Sequence, residues 1–190
     1  MSTPAPLVPR AAVIKLPPSF DRFDLGIDQA WEHVRGHRVT DRLFYAASEV
    51  GNFGLVWMGI AALHALGGNP RQGRALLRMA GALGVESLVV NQGVKRLFKR
   101  QRPNWDTERP RGLRKPSTSS FPSGHSTSAV TAAMLLTQTS PVPAPVWWGL
   151  AGVVATSRVH VKIHHASDVV GGVLMGAAIG SIIRRAMPVR

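Results

Sequence analysis

The sequence has no cysteine among its 190 residues, a single tyrosine, and only six phenylalanines and five tryptophans. Without thiols there is no disulfide, no cysteine nucleophile and no cysteine-ligated zinc. Acidic residues are scarce too: ten Asp and Glu stand against 23 Lys and Arg, a formal net charge of +13. That imbalance implies an anionic partner, whether nucleic acid, anionic lipid or a phosphorylated substrate. A cleavable leader is not expected, because the first twenty residues carry five prolines and no apolar stretch. The most informative shortage is of charge in three long runs. Residues 126–157 hold no Lys, Arg, Asp or Glu over 32 positions, residues 50–70 none over 21, and residues 169–183 none over 15. A helix crossing a bilayer needs about 20 mostly apolar residues, and a soluble domain seldom keeps three such runs. The mean hydropathy of +0.05 hides this distribution.

The chain therefore reads as all-α: a polytopic membrane helical bundle of about five short transmembrane helices, preceded by an N-terminal amphipathic helix. Residues 1–18 are punctuated by proline and form an irregular tail, leaving 19–190 as one domain. Ser19 is positioned to cap a helix in which Phe20, Phe23, Ile27, Trp31 and Val34 share one side. Its other faces carry Asp21, Asp24, Asp28 and Glu32, so it does not span. It lies in the membrane interface or packs on the protein's own surface. Spans are expected over 43–66, 75–98, 123–139 and 146–161, and from 169 onward. Glu86, inside the second span, faces the bundle interior and is read as structural glue. Gly172, Gly176 and Gly180 recur every four residues, a seam that lets helices approach closely in a membrane. With these spans, the polar clusters at 95–103, 122–125 and 157–168 converge on one face of the bundle.

Those clusters suit phosphate. Lys95, Arg102 and Arg158 supply the charge that a phosphate monoester dianion needs. Ser123 offers a hydroxyl, and Gly124 lets backbone N–H groups at a helix N-terminus approach an anion. His125, at the same helix end, is placed to protonate a leaving alkoxide. His164 and Asp168 are four residues apart, one helical turn, so a carboxylate holding one ring N–H leaves the other nitrogen free to attack phosphorus. Taken alone, a His-x3-Asp pair also fits a solvated cationic helix end. His160 and His164, likewise four apart, also fit zinc. The nine cations in residues 95–115 would attract any polyanion, yet only Phe98 and Trp105 interleave them as stacking platforms for nucleic acid.

Taken together, Lys95-x6-Arg102-Pro103, Pro122-Ser123-Gly124-His125 and Ser157-Arg158-x5-His164-x3-Asp168 resemble the three-part signature of the type 2 phosphatidic acid phosphatase superfamily. That superfamily includes lipid phosphate phosphatases, bacterial class A acid phosphatases and vanadium haloperoxidases. The resemblance covers about 43–183. It implies a helical bundle that hydrolyses a lipid phosphate or diphosphate through a phosphohistidine, with no metal and no other cofactor. Lys95, Arg102, Ser123, Gly124 and Arg158 would hold phosphate, His125 would be acid and base, His164 the nucleophile and Asp168 its orienter. The spacing from Arg158 selects His164 over His160 and His165, which demotes zinc. The implied partners are a phosphorylated lipid and the bilayer, not nucleic acid. Rival readings are a soluble acid phosphatase or haloperoxidase of the same superfamily, and a non-catalytic basic membrane binder. Membrane members often have six spans and an outward-facing site, whereas here two spans precede the first motif. On the side of the site lie seventeen Lys and Arg against six opposite, and fourteen remain when the three phosphate-binding cations are set aside. The positive-inside rule then places the site on the cytoplasmic face of a multi-pass protein in a bacterial cell membrane.

Overall fold

In the computed structural model, residues 14–103, 113 and 116–189 are described. Their helices are α1 (Pro18–Glu32), α2 (Arg38–Val50), α3 (Leu55–Ala65), α4 (Pro70–Ser87), α5 (Lys95–Leu97), α6 (Gly124–Thr139), α7 (Ala144–His160) and α8 (Ala166–Ala186). A 3-10 turn, Asn52–Gly54, joins α2 to α3, and a π-helical stretch, Leu88–Val94, joins α4 to α5.

The first expected span is broken. Gly51-Asn52-Phe53-Gly54 interrupts it, and α2 and α3 meet at 60°. Phe53 (φ 57) and Gly54 (φ 68) both lie in the left-handed region, which a right-handed helix cannot contain. The second expected span begins five residues earlier than proposed, on Pro70, with the Asn69 side chain accepting from Arg71 N at 2.9 Å. Pro18 occupies the first position of α1, where its missing N–H costs nothing. Ser19 thus lies within the first turn instead of capping it.

Helix α6 is the centre of the bundle and packs against α4, α7 and α8. It is buried on every side from Ser126 to Leu136. Around it Trp57, Met79, Ala82, Leu135, Leu136 and Val154 form the main core. The glycine seam of α8 lies directly on α6: a Cβ on Gly172 would sit 2.4 Å from the Ser123 carbonyl oxygen, and one on Gly176 2.5 Å from that of Thr127. Outward, the large apolar side chains Leu63, Leu66, Leu77, Leu88, Trp148, Leu174 and Ile182 are exposed. A bundle with an apolar exterior belongs in lipid. Among the described residues, only α8 is a single helix long and apolar enough to cross a membrane, and the bent α2–α3 pair qualifies jointly. Helices α6 and α7, 16 and 17 residues long, fall short of that length.

The amphipathic helix α1 packs on the protein itself. Ile27 and Trp31 cover Ala155, Val159, Ala166 and Val169 of α7 and α8. The Trp31 indole donates to His160 Nδ1 at 3.1 Å, and His160 Nε2 lies 2.8 Å from Asp41 Oδ1. With both ring nitrogens engaged, His160 is a structural tie between helices and does not pair with His164 as a metal ligand.

Candidate active site

Chain segments at 48–54, 83–95, 116–118, 124–128 and 158–164, with Arg102 and Leu113, enclose a cavity of about 290 Å³. It is lined by Lys95, Arg102, Gly124, His125, Arg158 and His164, six of the eight residues singled out from the sequence. Asp168 sits behind His164 at 0 % exposure. Ser123 is also buried, and does not line the cavity. Its hydroxyl caps α6, accepting from Ser126 N at 3.4 Å and Ser126 Oγ at 2.9 Å.

His164 is not on a helix, so one-turn helical spacing is not what pairs it with Asp168. After α7 the chain turns through Lys162, whose φ of 51° is left-handed, and the Ile163 and His164 amides both donate to the Arg158 carbonyl at 3.1 Å. This turn lowers the imidazole onto the start of α8. Its Nδ1 lies 3.5 Å from Asp168 Oδ2, an electrostatic contact longer than a strong hydrogen bond. Nε2 faces Arg102 Nη1 at 3.2 Å, on the cavity side. With a carboxylate at Nδ1 and a guanidinium donor at Nε2, the proton belongs on Nδ1 and the lone pair on Nε2. Burial, the largest influence, pushes the His164 pKa down to about 3 despite Asp168, and the Arg102 charge adds to it. The imidazole is therefore neutral at physiological pH.

Asp168 is itself held from three directions. Arg100 Nη1 donates to Oδ1 at 2.6 Å, and Oδ2 accepts from Ser120 Oγ at 2.5 Å and from His165 N at 2.8 Å. Arg100 also donates to Asp24 Oδ2 at 2.5 Å, and Asp24 in turn receives the Ser167 amide and hydroxyl, each at 2.7 Å. Helix α1 thus reaches the His164–Asp168 corner through a carboxylate that is 6 % exposed. On the opposite wall, His125 Nε2 meets Asn52 Oδ1 at 3.1 Å, an acceptor supplied by the break between α2 and α3. Arg158 Nη1 donates to the Ser48 side chain and, at 3.3 Å, to the Ser48 carbonyl. Arg102 is fixed by the carbonyls of Ile163, Thr118 and Ser119 at 2.9, 3.1 and 3.2 Å.

Sequence reasoning missed Asp24, Ser48, Asn52, Arg100 and Ser120. Asn52 alone left a signal, as a polar residue flanked by glycine inside an uncharged run. The long cationic loop is outside the described residues at 104–112 and 114–115.

Fold and site together define a class: membrane-embedded, all-helical phosphohydrolases whose buried His–Asp pair faces a cage of fixed cations. The PAP2 superfamily model matches residues 75–190. The chain is 36 % identical over 143 residues to the decaprenylphosphoryl-5-phosphoribose phosphatase of Mycobacterium tuberculosis, covering 72 % of this chain and 74 % of that one. The enzyme of the same name from Mycolicibacterium smegmatis is 38 % identical over 128 residues, 67 % of this chain and 68 % of that one. In fold, the chain is similar to the PAP2-type phosphatidylglycerolphosphate phosphatase of Bacillus subtilis, with a TM-score of 0.69 at 21 % identity over 90 % of this chain and 87 % of that one. Aquifex aeolicus LpxE gives 0.66 at 21 % identity over 86 % and 95 %. The chain belongs to the PAP2 superfamily, and it is a lipid phosphatase.

Proposed function

We propose that the substrate is a lipid-linked sugar phosphate, as the names of the curated relatives suggest, and that its monoester is cleaved through a phosphohistidine on His164. The observation that carries the mechanism is the orientation of His164, with Nε2 toward the cationic cavity and Nδ1 toward Asp168. Lys95, Arg102, Arg158 and the α6 amides at Gly124 would hold the three phosphoryl oxygens. Ser123 would contribute by capping that helix. As phosphate enters, Arg102 exchanges its contact with Nε2 for one with an oxygen. The Nε2 lone pair forms the N–P bond while the bond from phosphorus to the leaving oxygen breaks. His125, doubly protonated as imidazolium once the phosphate dianion is bound, passes the Nε2 proton it shares with Asn52 to that alkoxide and becomes neutral. His125 then removes a proton from water, whose oxygen displaces His164, releasing phosphate. No step draws on a metal.

In the same reading, 19–190 is the catalytic domain and 1–18 a tail. The bent α2–α3 pair, the α4–α5 rod, α6, α7 and α8 make five crossings, with short helices matched by the cationic mouth sinking into the interface. The Lys and Arg asymmetry supports a cytoplasm-facing site. The deciding experiment is phosphate release by purified protein from a lipid-linked pentose phosphate, phosphatidic acid, phosphatidylglycerophosphate and a polyprenyl diphosphate, each with EDTA present. Preference for the first is expected. Preference for any other substrate defeats the substrate reading, and loss of activity with EDTA defeats the mechanism.

A further inference from the structure

One wall of the cavity is unsuited to phosphate. Glu86, 5 % exposed, lines the cavity with Ser87 and Asn91 beside it. Its Oε1 is buried and accepts no hydrogen bond, and among the described residues no cation lies within ion-pair distance of it. What it can do there is accept from a neutral donor.

Backbone geometry brings it to the site. Glu86 and Lys95 are nine residues apart, about two and a half turns of an α-helix, which places them on opposite faces. The seven-residue π-helical stretch Leu88–Val94 lies between them, and its wider turns lag an α-helix in rotation. Both side chains then line the same cavity. Ser87, Asn91 and Lys95 stand four apart along this face. The Asn91 amide donates to Ser87 Oγ at 3.2 Å, and its Oδ1 borders Gly124 alongside Lys95 Nζ. Lys95 thus adjoins a strip of amide and hydroxyl groups that shares the cavity lining with the Glu86 carboxyl.

We infer that Glu86, with Asn91 and Ser87, forms a subsite for the hydroxyl groups of the headgroup carrying the scissile phosphate, making Glu86 a specificity-determining residue for a polyhydroxylated substrate such as a sugar phosphate. This rests on the substrate reading above and adds the residues that enforce it. A carboxylate accepting a substrate O–H makes a charge-assisted bond worth about ten- to a hundred-fold in affinity. Its acceptor is left desolvated and unpaired by an analogue without that hydroxyl.

The test compares wild type, Glu86→Leu and Glu86→Gln on two probes. One is a short-chain prenylphosphoryl ribose 5-phosphate, and the other is its counterpart lacking both ring hydroxyls. Wild type is expected to favour the hydroxylated probe. Glu86→Leu is expected to lower kcat/KM for that probe at least ten-fold further than for the other, mainly through KM. Glu86→Gln, which keeps an acceptor, is expected to fall between. Equal losses on both probes from both variants would assign Glu86 to structure or to tuning Lys95, and would overturn the inference alone. A wild type that prefers the deoxygenated probe would overturn the substrate reading and the inference with it. If Glu86→Leu does not extract as folded protein, the near-isosteric Glu86→Gln carries the same comparison.

Discussion

His164 presents its lone pair to the cavity because Asp168 stands at the other ring nitrogen, and Asp168 stands there because Arg100 and Ser120 hold it. His164→Ala removes the proposed nucleophile and should reduce turnover by several orders of magnitude in protein that still extracts and folds. An acid-labile, base-stable phosphoenzyme trapped from wild type should vanish with it; its persistence would move the nucleophile elsewhere. Arg100→Ala leaves every proposed phosphate-binding group in place but frees the Asp168 carboxylate to rotate. Misplacing a reacting group by about 1 Å costs on the order of a hundred-fold. The expected result is therefore a drop of that order in kcat with KM changed little, whereas a loss confined to KM would make Arg100 a substrate ligand. His164 also has a signature in stability. Its pKa is about 3 when folded, against an ordinary imidazole value of 6.5. Between these values the unfolded chain takes up a proton that the folded one refuses. Stability contributed by neutral His164 is thus complete above pH 6.5 and is lost progressively as pH falls toward 3. Denaturation followed across that window should show a shallower decline in His164→Gln than in wild type, and parallel curves would contradict the burial argument.

Helices carry the site by how closely they approach and where they break. A methyl group on Gly172 or Gly176 meets a backbone carbonyl of the α6 region, which cannot step aside as a flexible side chain would. Gly176→Ala should cost about 1–3 kcal/mol or more through overpacking. Gly149→Ala, in α7 with nothing within 4 Å of the added carbon, should be neutral or stabilising by up to about 1 kcal/mol. Thermal unfolding in detergent measures both, and equal effects would mean that α8 does not rest on α6 as described. The seam was legible because its spacing is periodic and its residue type unambiguous. Lys95, Arg102, His125, Arg158, His164 and Asp168 were legible because each belongs to a short motif. Arg100 was not, being one of nine cations in its stretch, with its decisive partner 68 residues away. Asp24 read as one more acid on a polar face, because its partners lie 76 and 143 residues further on. Glu86 was expected inside the bundle, where it lies; that it shares a cavity with Lys95 was not legible, because a change from α to π hydrogen bonding alters which way a side chain faces without altering the composition that periodicity reads.

For the whole molecule, the distribution of Lys and Arg favours a cytoplasmic mouth for the cavity. The absence of native cysteine makes this directly measurable. A cysteine at exposed Ser117, beside the mouth, should resist an impermeant thiol reagent in intact cells and react after lysis. One at exposed Gln138, at the opposite end of α6, should react before lysis. The reverse pattern would turn the protein over. The bond network from Asp24 to Ser167 and Asp168 also fixes when the enzyme can first work. Helix α1 leaves the ribosome early, but the Ser167 amide that Asp24 accepts from lies 143 residues later. At ordinary translation rates that interval is on the order of ten seconds. Until it has passed, Arg100 has no Asp168 to hold and the nucleophile itself has not been made. Any chain that stops short of Asp168 should thus be catalytically silent, and hydrolysis should start only once the last helix has closed over the first.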